Sequence, residues 1–226
     1  MATIQLLHGW GYDATLWDAV VARLAGQRIE TLELGYFDKK KSALAARRDK
    51  AREEAWIAVG HSLGALWWLA EEDAGWDALV IIGGFPRFTS TADFPAGVPP
   101  RVLERMRRRF AENPAAVLDD FRRTCGAPGP MLPADLRPLA EGLDYLAQAD
   151  GRARLAQRAD DIHLLASRDD AIVPLAMSET AFAGLPGGQR HVCDDGGHAL
   201  PFTRPEDCAR LILDVAARLE RNPQDV

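Results

Sequence analysis

Gly60-His61-Ser62-Leu63-Gly64 sets a serine between two glycines where the apolar run "WIAV" meets "LGALWWLAEE". A strand that turns at once into a helix crowds the residues flanking the turn, and glycine relieves that crowding. Ser62 is then lifted above the strand ends. The helix N-terminus points at it and favours negative charge developing there. The motif alone also fits a plain structural turn; the strand before it and the helix after it favour a nucleophile. A serine hydroxyl is a weak nucleophile and needs a base. On a strand-turn-helix scaffold of this kind the chain order is serine, then acid, then histidine. Of five histidines, His8 ends the first apolar run and His61 lies inside the turn, directed away from Ser62. His163 and His191 fall within strand-like runs, whereas His198 lies in the glycine-rich stretch "DDGGHALPF". His198 is therefore the expected base. "LLASRDDAIVP" supplies Asp169 and Asp170 as candidates for the acid. Adjacent side chains diverge, so only one can orient His198; the D-x-x-V-P spacing up to Pro174 favours Asp170 and leaves Asp169 as a loop or capping acid. An oxyanion needs two donors. The expected pair is the backbone N–H of Leu63 and that of Trp10, which Gly9 and Gly11 flank in "HGWGYD".

These residues need a scaffold that brings distant loops to one place. Apolar runs at Thr3–Leu7, Arg28–Leu34, Trp56–Gly60, Ala78–Gly84, Asp161–Ser167 and Gln189–Asp195 read as strands. Helical spacing follows most of them: Thr15–Ala25 with Thr15 as N-cap, a charged stretch Lys39–Glu54, Ser62–Asp73, Leu175–Ala183 and Pro205–Glu220. Lys39-Lys40-Lys41 reads as a solvated loop or the start of the second. Between Phe85 and Asp160 no strand is expected. A proline-punctuated loop leads there into three helices, "PRVLERMRRRFAE", "PAAVLDDFRRTCG" and "LRPLAEGLDYLAQADG". Alternating strand and helix implies an α/β fold: a mostly parallel sheet of about six strands, covered by helices on both faces. Residues 1–226 then form one domain, with 86–160 a helical cap inserted into a core of 1–85 and 161–226. The cap is expected over the carboxyl ends of the strands, where such sheets bind ligands.

The chain has 226 residues, 47% hydrophobic and 27% charged, with a net charge of -6. That balance excludes a global nucleic-acid footprint. No apolar run approaches the roughly 20 residues needed to span a bilayer, and "MATIQLLHGW" does not read as a signal peptide. Cys125, Cys193 and Cys208 are an odd set without CxxC spacing, expected as buried thiols in a reducing, cytoplasmic setting. Neither a metal nor an organic cofactor is expected.

"LLHGWG", "GHSLG", "DAIVP" and "GGHALPF" resemble the α/β-hydrolase superfamily over nearly the whole chain. "HGWG" followed by "LW", with "PPRVLERMRRRFAENPAAVLDDF" and "EGLDYLAQAD" in the insert, is similar to the pimeloyl-acyl-carrier-protein methyl ester esterases of biotin synthesis. The resemblance implies Ser62, Asp170 and His198 as the catalytic triad and Trp10 and Leu63 as the oxyanion hole, with Phe121 lining an acyl channel. It implies an acyl-serine esterase acting on pimeloyl-carrier methyl ester. A general short-chain carboxylesterase, or another small-acyl hydrolase, is the alternative. A non-catalytic binding or signalling protein on this fold is a third reading, opposed by the complete triad. Such esterases usually carry an earlier strand or hairpin, so a sheet shorter at one edge is expected. The stretch between the "VLDDFRR" and "LAEGLDYL" helices is abbreviated where such esterases place basic residues.

The insert carries Arg101, Arg105, Arg107, Arg108, Arg109, Arg122 and Arg123 on an otherwise acidic chain. Such a patch could steer an acidic acyl-carrier protein, with Arg105, Arg108, Arg122 and Arg123 as docking candidates. Pairing of Arg105 and Arg109 with Glu104 and Glu112 on one helix is the alternative. Phe85, just after the fourth apolar run, is placed to touch an acyl chain. Trp67 and Trp68 are consecutive, so one is expected beneath the sheet and the other near the cap.

Overall fold

The structure is a computed structural model that describes residues 2–37, 54–71, 73–129 and 133–221. The charged helix read over Lys39–Glu54, with its lysine run, lies outside them except for Glu54. Among the described residues, six strands form one sheet: β1 (Thr3–Leu7), β2 (Arg28–Leu32), β3 (Trp56–His61), β4 (Ala78–Ile82), β5 (Ile162–Ser167) and β6 (Arg190–Cys193). Their order is β2-β1-β3-β4-β5-β6 and every pair is parallel. Strands β1, β4 and β5 are buried along their whole length and β3 beyond its first residue. Helices cover both faces, which is why these strands read as unbroken apolar runs. The edge strands β2 and β6 carry exposed positions instead.

One face of the sheet, through Ile4, Leu6, Ile57, Val59, Val80 and Ile82, packs with α1 (Asp18–Val21), α8 (Leu200–Thr203) and α9 (Pro205–Arg221). The other, through Leu7, Ala58, Leu79, Ile81 and Leu164, meets α2 (Leu63–Ala70), α7 (Leu175–Ala181) and the helices between β4 and β5. Trp67 and Trp68 both belong to this second core, which spans sheet and insert residues, and their rings meet edge-on at 5.0 Å. Trp68 stays in contact with the sheet by donating its indole N–H to Val59 O at 3.3 Å.

Among the described residues, the segment between β4 and β5 holds four α-helices where three were expected: α3 (Pro100–Glu112), α4 (Pro114–Cys125), α5 (Leu136–Gln148) and α6 (Arg152–Gln157). Asn113 caps α4 by accepting from Ala116 N at 3.1 Å, with Pro114 in the first turn. Gly126 ends that helix in the left-handed region, its N–H bonded back to Arg122 O. Leu103 and Phe110, seven residues apart, are the buried stripe of the otherwise charged α3.

The helix expected over Thr15–Ala25 is looser than its pattern suggests. It is a 3₁₀ turn at Ala14–Trp17, then the four-residue α1, then tight turns closed by Arg23 N to Val20 O and Leu24 N to Val21 O. Asp13 takes the capping role expected of Thr15, accepting from the Thr15 N–H at 3.0 Å.

Candidate active site

Ser62, Asp170 and His198 come together at the carboxyl edge of the sheet, from the loops that follow β3, β5 and β6. Ser62 has φ 53° and ψ -119°, and among the described residues it is the single non-glycine with positive φ. Such a conformation is strained and persists only where its surroundings over-determine it. Both flanking glycines are required by close approach. A Cβ on Gly60 would overlap the backbone of Gly64 and Ala65, and one on Gly64 the carbonyl oxygens of Leu7 and His8.

The Ser62 hydroxyl lies 2.9 Å from His198 Nε2, and His198 Nδ1 lies 2.8 Å from Asp170 Oδ2. Asp170 is itself fixed, because its Oδ1 accepts from the N–H groups of Ile172 and Val173 at 2.8 Å each. A carboxylate accepting from Nδ1–H leaves Nε2 unprotonated, ready to accept from Ser62. Asp169 turns the other way: its Oδ1 accepts from Ser167 Oγ and from Gly197 N. These hydrogen bonds hold its carboxyl below the usual range. Geometry thus separates two acids that spacing could only rank. His198 is fully buried and Ser62 5% exposed, so the relay is shielded from bulk water.

Leu63 is the first residue of α2, and its N–H has no acceptor within that helix. Gly9 sits against Ser62; a Cβ there would be 2.8 Å from Ser62 Cβ. The following residue, Trp10, is thereby brought beside the serine. Its buried indole donates to Leu139 O of α5 at 2.8 Å. Arg122 of α4 donates from Nε to Gly11 O at 3.1 Å, and the Tyr12 hydroxyl donates to Ala127 O at 3.2 Å. The loop from Gly9 to Tyr12 is therefore tied to the helical insert three times over. The His198 loop is tied once, by Ala199 N donating to Cys125 O at 3.2 Å.

Above Ser62 opens a cavity of about 340 Å³, the scale of a small-molecule site. Trp10, Phe85 and Phe121 line it together with Phe88, Leu103, Leu146 and Ile172. Gly97, Pro99, Val102 and Met106 are among the other lining residues, and none of the lining side chains is charged. The expected positions of Phe85 and Phe121 are thus found at the cavity. Phe121 stands edge-on to Trp10 at 5.0 Å and to His198 at 6.4 Å. Sequence reading missed Val102 and Met106, although an i, i+4 apolar pair on a charged helix is a visible signal.

The arginines divide. Arg101, Arg105 and Arg108 project from α3 as exposed side chains, and Arg101 and Arg105 adjoin the cavity-lining Val102 and Met106. Arg107 pairs with Asp144 of α5, and Arg109 with Asp120 of α4 at 2.7 Å rather than with Glu112 on its own helix. Two of the four docking candidates are otherwise engaged. Arg122 is half-buried against Gly11 O and over the Phe37 ring, and Arg123 pairs with Asp120 at 3.0 Å. Among the described residues no group of three His, Cys, Asp or Glu side chains could hold a metal ion, and no helix is long and apolar enough to cross a membrane.

The parallel sheet, the strained serine turn and the insert above it agree with what sequence comparison finds. The chain belongs to the alpha/beta hydrolase family, whose model matches residues 6–211. It is 33% identical to the pimeloyl-[acyl-carrier protein] methyl ester esterase of Aromatoleum aromaticum, over 94% of this chain and 97% of that protein. It is 29% identical to the protein of the same name from Xanthomonas campestris pv. campestris (strain B100), over 88% of each. Among solved structures, the esterase EaEST of Exiguobacterium antarcticum superposes with a TM-score of 0.77 at 17% identity, over 96% of this chain and 92% of that one; the likeness is one of fold.

Proposed function

We propose that this chain is a serine carboxylesterase acting through an acyl-serine intermediate, and that its substrate is the methyl ester of a pimeloyl group on acyl-carrier protein. The observation that carries the proposal is the Ser62–His198–Asp170 relay on the floor of an apolar cavity. His198 takes the Ser62 proton as the hydroxyl attacks the ester carbonyl. The N–H groups of Leu63 and Trp10 receive the oxyanion. The tetrahedral intermediate collapses and His198 protonates the departing alcohol. His198 then activates the water that releases the acid, while Asp170 keeps the imidazole in the required tautomer. The uncharged lining suits a neutral ester and an alkyl chain, because burying an unpaired charge there is costly.

The substrate name comes from the relatives, and the exposed arginines of α3 beside the cavity support a carrier-borne acyl group. Of the basic candidates, the exposed Arg105 and Arg108 are the ones to meet an acidic partner, since Arg122 is bonded to Gly11 O and Arg123 is paired with Asp120. The chain is read as one cytoplasmic domain with residues 86–160 as its cap. A general short-chain carboxylesterase is the second reading, because the lining contains nothing that demands a carrier.

A fluorophosphonate probe tests the enzyme: the reading requires an adduct at Ser62, lost in S62A. Methyl pimeloyl-carrier protein and p-nitrophenyl butyrate test the substrate. R105E/R108E should lower kcat/KM for the carrier ester by about tenfold or more and leave the butyrate unchanged. Equal effects on both substrates would exclude carrier docking at these arginines.

A further inference from the structure

His61 occupies the unspecified position of the serine turn, yet it makes a specific contact. It is the last residue of β3, paired with Ile82 of β4, and is 1% exposed. Its Nε2 lies 3.0 Å from the backbone carbonyl oxygen of His198. A carbonyl can only accept, so Nε2 carries the proton and Nδ1 presents a bare lone pair. That Nδ1 is buried without a hydrogen-bond partner, against the backbone of Gly9, where a Cβ would lie 2.8 Å away. The ring packs 4.9 Å from the His198 ring and 6.2 Å from Tyr12. The titratable groups facing it are His198, Tyr12 and His8; burial, with the neighbouring histidines, drives its own pKa well down.

The His198 backbone has little of its own to hold it. Gly196 and Gly197 precede it at φ 122° and 63°, conformations that bring flexibility rather than direction. Contacts from other elements hold the loop, among them Gly197 N on Asp169, Ala199 N on Cys125 O, and the His61 N–H on His198 O, besides the Thr203 hydroxyl on Gly196 O at 2.7 Å. The His61 contact lies on the residue that must move a proton. On the hydrolase reading given above, we propose that His61 is a positioning residue: its Nε2–H pins the His198 carbonyl and so sets the height of the imidazole over Ser62. An imidazole suits the place because it donates from a rigid ring while remaining uncharged beside a histidine that becomes cationic during turnover.

Two measurements test this. In native protein labelled with ¹⁵N-histidine, His61 should show the Nε2–H tautomer and no titration between about pH 5 and 9. With p-nitrophenyl butyrate, H61L should lower kcat about 10- to 100-fold with KM nearly unchanged, the scale of a misplaced catalytic group. H61Q retains an N–H near the Nε2 position and should recover most of that loss. A His61 that titrates in this range or carries its proton on Nδ1 overturns the proposal, and the native protein suffices for that test. So does an H61L kcat near the native value, or an H61Q as impaired as H61L. Failure of the hydrolase reading is distinguishable, since it would appear as no fluorophosphonate adduct at Ser62 in the native protein.

Discussion

Replacing Asp170 by asparagine isolates the role of one carboxylate oxygen. Oδ1 accepts from Ile172 N and Val173 N, and an asparagine carbonyl oxygen keeps both bonds. The amide nitrogen must then occupy the position of Oδ2, 2.8 Å from His198 Nδ1. An amide donates, so Nδ1 has to accept, and the ring proton moves to Nε2. That nitrogen faces Ser62 Oγ at 2.9 Å and can no longer take its proton. Nothing in the packing changes, so the loss falls on the chemical step. A wrong-tautomer histidine in a triad costs about 10⁴ in kcat, or about 5.4 kcal/mol at 1.36 kcal/mol per decade. D169N should stay within about threefold of native, because Asp169 acts on the loop through Ser167 and Gly197 and has no contact with the His198 ring. Steady-state hydrolysis of p-nitrophenyl butyrate at saturating substrate, with melting temperatures recorded for both variants, provides the assay. A D170N enzyme retaining a tenth of native kcat, or a D169N enzyme more impaired than D170N, would refute the assignment and the tautomer argument together.

Other consequences follow from the same geometry. G60A should lose about 1–3 kcal/mol or fail to fold, since its methyl would overlap the backbone at Gly64 and Ala65; chemical denaturation measures this. W10F removes the indole donor to Leu139 O, whose carbonyl keeps its bond within α5, so about 0.5–1.5 kcal/mol of stability should go, together with part of kcat. His163 has its pKa lowered to about 4 by burial, with Arg218 and His191 adding to the effect. Its unfolded form therefore binds more protons between pH 6.5 and about 4, and stability should fall as pH drops through that window. Urea midpoints across the window should decline less steeply in H163L, though not become flat, because burial holds His61 neutral in the same way.

Much of this was legible in the sequence, for a reason that also marks its limit. Central strands buried on both faces leave continuous apolar runs, so β1, β3, β4 and β5 were found within a residue or two. Ser62 and His198 were found because a tight strand-to-helix turn and a glycine loop leave residue signatures. The choice between Asp169 and Asp170 was a preference only, because the turn that aims one carboxylate at His198 is a backbone event. Helix α6 went unread because it has six residues and one buried side chain, Leu155. The structural use of Arg122 was invisible too: its acceptor, Gly11 O, lies 111 positions away in sequence.

The ties between the insert and the Gly9–Tyr12 loop bear on how this architecture can be redesigned. Specificity would be most simply altered by transplanting a different set of helices above the sheet. Here Leu139, Ala127 and Arg122, all within the insert, hold Trp10, Tyr12 and Gly11 in place. A foreign insert without matching carbonyls and a matching guanidinium would carry a new cavity and at the same time release the Gly9–Tyr12 loop, with its proposed oxyanion donor, from its mould. Grafts between relatives should work best when the loop after β1 travels with the helices, as one inherited unit.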